Sequence, residues 1–162
     1  MRRLVLAAGL SLLLAAPAAA QVPLADIRVG VTGALPTGDL GDAFSSGFGA
    51  YARVGVPLGV AKIMGTATFT RLNGKDVTVP GVGTFGVEDE NIIGLTVGPH
   101  FSPAPLFDIG VEGGYFTNID KLGIVPSVSL GLVKFDLMAS YTVVFADNSN
   151  STWISVGAGL RF

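Results

Sequence analysis

The chain has 162 residues, with 10 Lys and Arg against 12 Asp and Glu, one His and no Cys. That length suits one domain, the slight acidity provides no basic footprint for nucleic acid, and the lack of Cys excludes disulfide staples and thiolate metal sites. Hydrophobic residues make up 49% of the chain beside 23 Gly, yet past residue 20 no stretch approaches the roughly 18 consecutive apolar residues of a membrane helix.

The first residues are Arg2 and Arg3, an apolar run from Leu4 to Ala15, and Ala18-Ala19-Ala20 before Gln21. This order of charged, apolar and small residues predicts a secretory signal peptide over 1–20, cleaved near Ala20. The run is too short to span about 30 Å of hydrocarbon comfortably. No Cys follows the cleavage site, so lipoprotein-type acylation is not expected. Residues 21–162 then form the domain, with 8 basic against 12 acidic residues and a net charge of −4.

Beyond the leader one pattern recurs eight times: apolar residues at every second position, the period of a strand and not of a helix. Segment 26–36 sets Ile27, Val29, Val31 and Leu35 against Arg28, Gly30, Thr32 and Ala34. Segment 48–58 sets Phe48 through Leu58 against Gly49, Tyr51, Arg53 and Gly55, and 61–70 sets Ile63, Ala67 and Phe69 against Lys62, Met64, Thr66 and Thr68. In 92–101, Ile93, Leu95, Val97, Pro99 and Phe101 oppose Thr96 and His100. In 107–116, Phe107, Ile109, Val111 and Tyr115 oppose Asp108 and Glu112. Segment 122–132 alternates Ile124, Pro126, Val128, Leu130 and Leu132 with Ser127 and Ser129. The last two are 135–143, where Asp136, Met138, Ser140 and Thr142 face away from Phe135, Leu137, Ala139 and Tyr141, and 151–162, ending on Phe162. Strands of about ten residues match the length of a tilted membrane-crossing strand.

Connections alternate in length: brief at 59–60, 102–106 and 133–134, longer and polar at 37–47, 71–91 and 146–151, with 117–121 short for its class. Residues flanking a two-residue turn share a face, and Leu58 with Ala61 and Leu132 with Phe135 satisfy that parity. Val133-Lys134 is poor chemistry for a primed turn, and Pro99 and Pro126 each remove a ladder donor.

Two barrels fit: a soluble one with the apolar face inside, and a membrane one with it outside. The polar face carries Arg28, Arg53, Lys62, Asp108, Glu112, Asp136 and Arg161, and the apolar face carries no charge. Phe101, Phe107, Phe135 and Phe162 gather at one end of the apolar face and Phe48, Phe69, Tyr115 and Phe145 at the other, with aliphatic residues between. Such girdles are what a bilayer selects, so the expected fold is all-β: a closed, antiparallel, up-and-down eight-stranded transmembrane barrel.

The leader, the eight strands and the closing Gly-Leu-Arg-Phe resemble the small outer-membrane β-barrels of Gram-negative bacteria, of the outer-membrane protein A and X type. The resemblance covers residues 26–162 in pattern. It implies outer-membrane lipid as the surroundings and the barrel assembly machinery as a partner during biogenesis, with Ile154, Val156, Ala158, Leu160 and Phe162 matching the assembly signal position by position.

An eight-stranded barrel has room inside for side chains and little else, so its charges must pair. Arg53 is expected to meet Glu112 across the lumen, and Asp136 to answer Arg161. His100 reads as a satisfied interior group. With one His and no Cys, no metal cluster is expected; no cofactor is expected either, nor a catalytic centre, since His100 reads as inward and near the periplasmic end of its strand, away from the outer rim; "GVGTF" and "GVEGGYF" lack phosphate-loop spacing. Glu88, Asp89 and Glu90, with Asp39, Asp42, Asp120 and Asp147, read as a solvated acidic rim that matches no EF-hand. The expected role is structural or surface-interacting, with loops 37–47 and 71–91 offered to extracellular partners. A small-solute channel and a soluble exported ligand-binding barrel are the alternatives.

Overall fold

The eight period-two segments all form strands, and among the described residues there are ten: β1 (Asp26–Thr37), β2 (Phe44–Leu58), β3 (Ala61–Gly74), β4 (Asp76–Val79), β5 (Gly83–Gly86), β6 (Glu90–Ala104), β7 (Phe107–Phe116), β8 (Lys121–Leu132), β9 (Phe135–Val144) and β10 (Ser151–Arg161), with one short helix, α1 (Asp39–Ala43). The computed structural model describes residues 25–79, 81, 83–146 and 149–162. The expected signal peptide and Asp147 lie outside the described residues.

Eight strands close antiparallel in the order β1-β10-β9-β8-β7-β6-β3-β2, while β4 and β5 form a separate hairpin. Closure runs from Arg28 opposite Arg161 to Thr37 opposite Thr152, and Phe162 adds one more rung by donating its N–H to the Ile27 carbonyl at 2.8 Å. The barrel therefore has no open edge at its seam.

The two faces sort as the pattern requires, with the hydrocarbon side out. Val31 is 66% exposed, Leu95 58% and Val156 60%, while Arg28 and Asp136 are fully buried on the axis side. Phe101, Phe135 and Phe162 are exposed at the short-turn end, and Phe48, Phe69, Tyr115 and Phe145 at the long-loop end.

Three details differ from the sequence reading or sharpen it. Loop 71–91 is not a plain polar stretch: β3 runs on to Gly74, β6 starts at Glu90, and Val77 pairs with Phe85 in the β4–β5 hairpin. Four-residue strands are too short to impose a visible period between flanking charges. The turn at 133–134 does form, with Val133 at φ 57°, a costly conformation for a β-branched residue. Pro99 and Pro126 are carried without a shift of register. The β6–β7 ladder skips from Val97–Gly113 to His100–Gly110, and β8–β9 from Ile124–Val143 to Ser127–Ser140. On its other side each proline stays paired, with Ile63 and Val111 respectively.

Glycines on the inner wall make room for rings. The Tyr51 ring, from β2, lies across β1 and β10: a methyl on Gly159 would stand 2.5 Å from Tyr51 Oη and 2.3 Å from the Val29 carbonyl. Outward-facing Gly33 meets nothing nearer than 4.0 Å. Gly159→Ala is expected to destabilise the barrel by about 1–3 kcal/mol through overpacking at the seam, whereas Gly33→Ala should be neutral or stabilising by up to about 1 kcal/mol. Urea unfolding in detergent, followed by the single Trp, measures both.

Candidate functional site

The functional candidate is the lumen, built in layers along the axis. Register dictates its central problem: Arg28 stands opposite Arg53 on one side and Arg161 on the other. Like charges directly opposed repel, so carboxylates must come between them. At the short-turn end, Arg28 is the hub. Its Nη1 donates to Asp136 Oδ1 and Ser129 Oγ, both at 2.8 Å, and its Nη2 to Asp26 Oδ2 at 2.6 Å and Asp108 Oδ2 at 2.5 Å. Lys62 Nζ reaches Asp26 at 3.1 Å and Asp108 at 2.9 Å. Ser102 also donates to Asp108. Arg28, Lys62 and Arg161 thus meet Asp26, Asp108 and Asp136, three cations to three anions.

The expected pairing of Asp136 with Arg161 is corrected. Asp136 accepts from Arg28 and, at 3.1 Å, from Tyr51 Oη, and Arg161 donates to Asp26 at 2.9 and 3.1 Å. The reason is register: Asp136 lies opposite Gly159, not Arg161, so the long Arg28 side chain claims it. Asp26 escaped notice because it opens the first strand, before any alternation is established. Its one signal was sharing parity with Arg28.

One layer further along, Arg53 Nη2 donates to Glu112 Oε1 at 2.9 Å and Nε to Thr66 Oγ1 at 3.2 Å, with Met138 Sδ 3.3 Å from Nη1. Thr96 donates to Glu112 Oε2 at 2.6 Å. His100 Nε2 lies 2.9 Å from Glu112 Oε1. Its Nδ1, however, is buried with no hydrogen-bond partner among the described residues, so His100 is half satisfied rather than fully. Its ring lies flat on Gly110, where a methyl would come within 2.3 Å, and a glycine has no side chain to offer it.

Toward the long-loop end the lumen changes character. Thr66, Thr68, Thr70, Ser140, Thr142 and Ser155 ring a cavity of about 30 Å³ that has Arg53 and Glu112 on one side and Phe116 and Trp153 on the other. Beyond it Ala34, Leu72, Ile92, Phe116, Val144 and Trp153 form a buried apolar cluster inside the barrel, with Phe116 edge-on to Trp153 at 5.8 Å. Period-two reading missed this inner core because Leu72, Ile92, Phe116 and Val144 sit at strand ends, where the parity set is hard to assign.

The remaining expected residues are placed as follows. Ile154, Val156, Ala158, Leu160 and Phe162 all lie exposed on the outer face of the closing strand. Asp39 and Asp42 fall in α1, Asp120 accepts from Tyr115, and Asp89 pairs with Arg71 at 2.7 Å. Among the described residues no His, Cys, Asp and Glu group is arranged to hold a metal ion.

Aliphatic outside, aromatic at both rims, charged within and closed by its first and last strands, the chain has the fold of the small eight-stranded outer-membrane β-barrels. It is similar to the outer-membrane protein Ail of Yersinia pestis, solved in complex with the heparin analogue sucrose octasulfate, at 19% identity and TM-score 0.53 over 85% of this chain and 97% of that one. The N-terminal β-barrel domain of Pseudomonas aeruginosa OprF matches at 16% identity and TM-score 0.57 over 85% and 97%. A designed transmembrane β-barrel matches at 12% identity and TM-score 0.52 over 88% and 98%. Likeness to a designed protein underlines that what is shared is the fold. No protein-family model and no curated protein matches the chain.

Arg28→Ala or Glu112→Ala, each stranding buried opposite charge, is expected to cost about 3–5 kcal/mol in denaturant unfolding, and Arg71→Ala at the exposed pair less than about 1 kcal/mol. Asp89 is held below the usual carboxylate range first by Arg71 and then by the Gly74 N–H. Its contribution to the loop base is therefore present above the unfolded carboxylate pKa of about 4 and lost as pH falls below that. The protection of the Gly74 amide against exchange, taken relative to the intrinsic rate at each pH, should fall in that acid window and stay level above it.

Proposed function

We propose that the protein is exported, loses residues 1–20 near Ala20, and serves in the outer membrane of a Gram-negative bacterium as a structural barrel that presents its long loops to the surroundings. Loops 37–47 and 71–91 face outward in this reading, and the short turns face the periplasm. The observation that carries it is the inverted sorting of the side chains: fully buried Arg28 and Asp136 on the axis, with a continuous aliphatic belt on the outside. In water such a belt would be an apolar patch far beyond the few hundred Å² that monomeric soluble proteins tolerate. In lipid it is the favoured surface, and a strand of about ten residues tilted about 45° crosses the hydrocarbon. This argues against the soluble ligand-binding reading.

The lumen argues for a support over a channel. Two ion-paired layers cross it, and the cavity of about 30 Å³ between them and the apolar cluster has room for about two waters. The outward set of β10, Ile154, Val156, Ala158, Leu160 and Phe162, is the face proposed to engage the barrel assembly machinery. One similar barrel, Ail, is an outer-membrane protein, also solved in a phospholipid bilayer nanodisc, which supports the location but not a particular partner.

The protein should stay with membranes through carbonate and urea washes and run faster on gels unheated than boiled. Planar bilayers containing it should show conductance near baseline. Spin labels at Leu95 and Val128 are expected to report hydrocarbon, and at Thr96 and Ser129 the packed interior. Water at Leu95, or release by carbonate, refutes the membrane reading; stepwise conductance replaces the support with a channel.

A further inference from the structure

The long-loop end of the lumen is sealed by side chains from outside the barrel wall as well as from it. Leu40 of α1, Phe44 at the start of β2 and Ile119 of the 117–120 turn all pack against the Phe116–Trp153 cluster. α1 has only five residues and no side-chain cap at Gly38, so it has little stability of its own. What holds it is the neighbouring loop. Lys75 Nζ donates to the Gly41 carbonyl at 2.5 Å and the Lys75 N–H to the Ala43 carbonyl at 2.9 Å. Just beyond, Asn73 Nδ2 donates to the Ser46 carbonyl at 2.5 Å and Ser45 Oγ to the Asn73 carbonyl at 3.2 Å. Beneath the seal the wall turns abruptly to hydroxyls, down to the buried Arg53–Glu112 pair at 2.9 Å. An apolar constriction above a hydroxyl-lined space gates by excluding water. The Arg28 layer closes the other end independently.

We propose that the connection between β1 and β2, residues 38–43, is a lid: Leu40, with Phe44 where the connection enters β2, completes an apolar seal over Phe116 and Trp153, and displacing the connection opens a blind, hydroxyl-lined vestibule to the outside, floored by Arg53 and Glu112. This rests on the reading that the long loops face outward from a membrane-embedded barrel. It deepens that reading by coupling whatever touches loops 37–47 and 71–91 to hydration of the lumen, with Lys75 as the tie between them.

The chain supplies its own reporters. Trp153 is the sole Trp, and the absence of Cys gives a clean background for Ser140→Cys in the vestibule wall. In the full mature chain folded into phosphatidylcholine vesicles, Leu40→Ser with Phe44→Ser should raise acrylamide quenching of Trp153 several-fold and shift its emission to the red. The same pair should speed reaction of Ser140→Cys with a cationic methanethiosulfonate. Lys75→Ala, which leaves the seal residues in place, should do so more weakly, and Val60→Ser at the short-turn end not at all. Heat-dependent gel mobility checks the fold in every case. If mobility is retained while quenching and thiol reactivity stay at the parent level in the Lys75→Ala and lid variants, or rise equally with Val60→Ser, the lid is refuted and the barrel stands. If the parent itself lacks heat-dependent mobility, it is the membrane reading that fails. Should the double lid variant not fold, Lys75→Ala and the single Leu40→Ser decide by the same readouts.

Discussion

Every backbone N–H and C=O of a sheet that crosses hydrocarbon must find its partner inside the sheet, since an unpaired group there costs several kcal/mol. The pairing of β1 with β10 meets that demand, and the rest of the structure follows from it. Once the sheet closes on eight strands, one face has lipid and the other a space barely wider than two side chains. The outward positions can then be any aliphatic residue. The inward ones must fit one another atom by atom, which explains a Tyr51 ring laid over the glycines of the seam and a His100 ring flat on Gly110.

Electrostatics inside so small a space is a matter of interleaving. The register sets Arg53, Arg28 and Arg161 side by side on three consecutive strands. Left alone, that row would drive the seam apart. Asp26, Asp108 and Asp136 gather around Arg28, and Glu112 takes Arg53, so Arg28, Arg53, Lys62 and Arg161 each have a carboxylate within hydrogen-bonding distance. The same contacts cross-brace the wall, because Arg28 on β1 is bound to β7, β8 and β9 at once. Cross-bracing of the wall and filling of the lumen therefore come from one set of interactions. The inner apolar cluster does the corresponding work at the loop end, where α1 and the 117–120 turn lean into the barrel instead of standing off it.

How much of this could be read beforehand is clearest at particular residues. The outer face was legible wherever a strand kept its alternation over four or more pairs: Leu95 and Val156 declared their side by their neighbours. The inner charges were legible as a set for the same reason, and Arg53 with Glu112 as opposed mid-strand charges. Asp26 was not, since it opens a strand, and Tyr51 and Ser129, though assigned to the inner face, gave no sign of their charged partners, because a neutral hydroxyl sends none until its neighbours in space are known. Leu72, Ile92, Phe116 and Val144 were missed because each lies where a strand ends and its parity is ambiguous. The hairpin at 76–86 was hidden by its brevity.

By itself, then, the order of residues determined that there are eight long strands, which face of each is greasy, and where the aromatic rims lie, because these depend only on period two and on composition along a strand. Which carboxylate belongs to which cation, what plugs the lumen and how the loops are tied over it were decided by the tertiary structure. They depend on the register between strands distant in sequence, and a shift of two residues would keep every face while changing every partner.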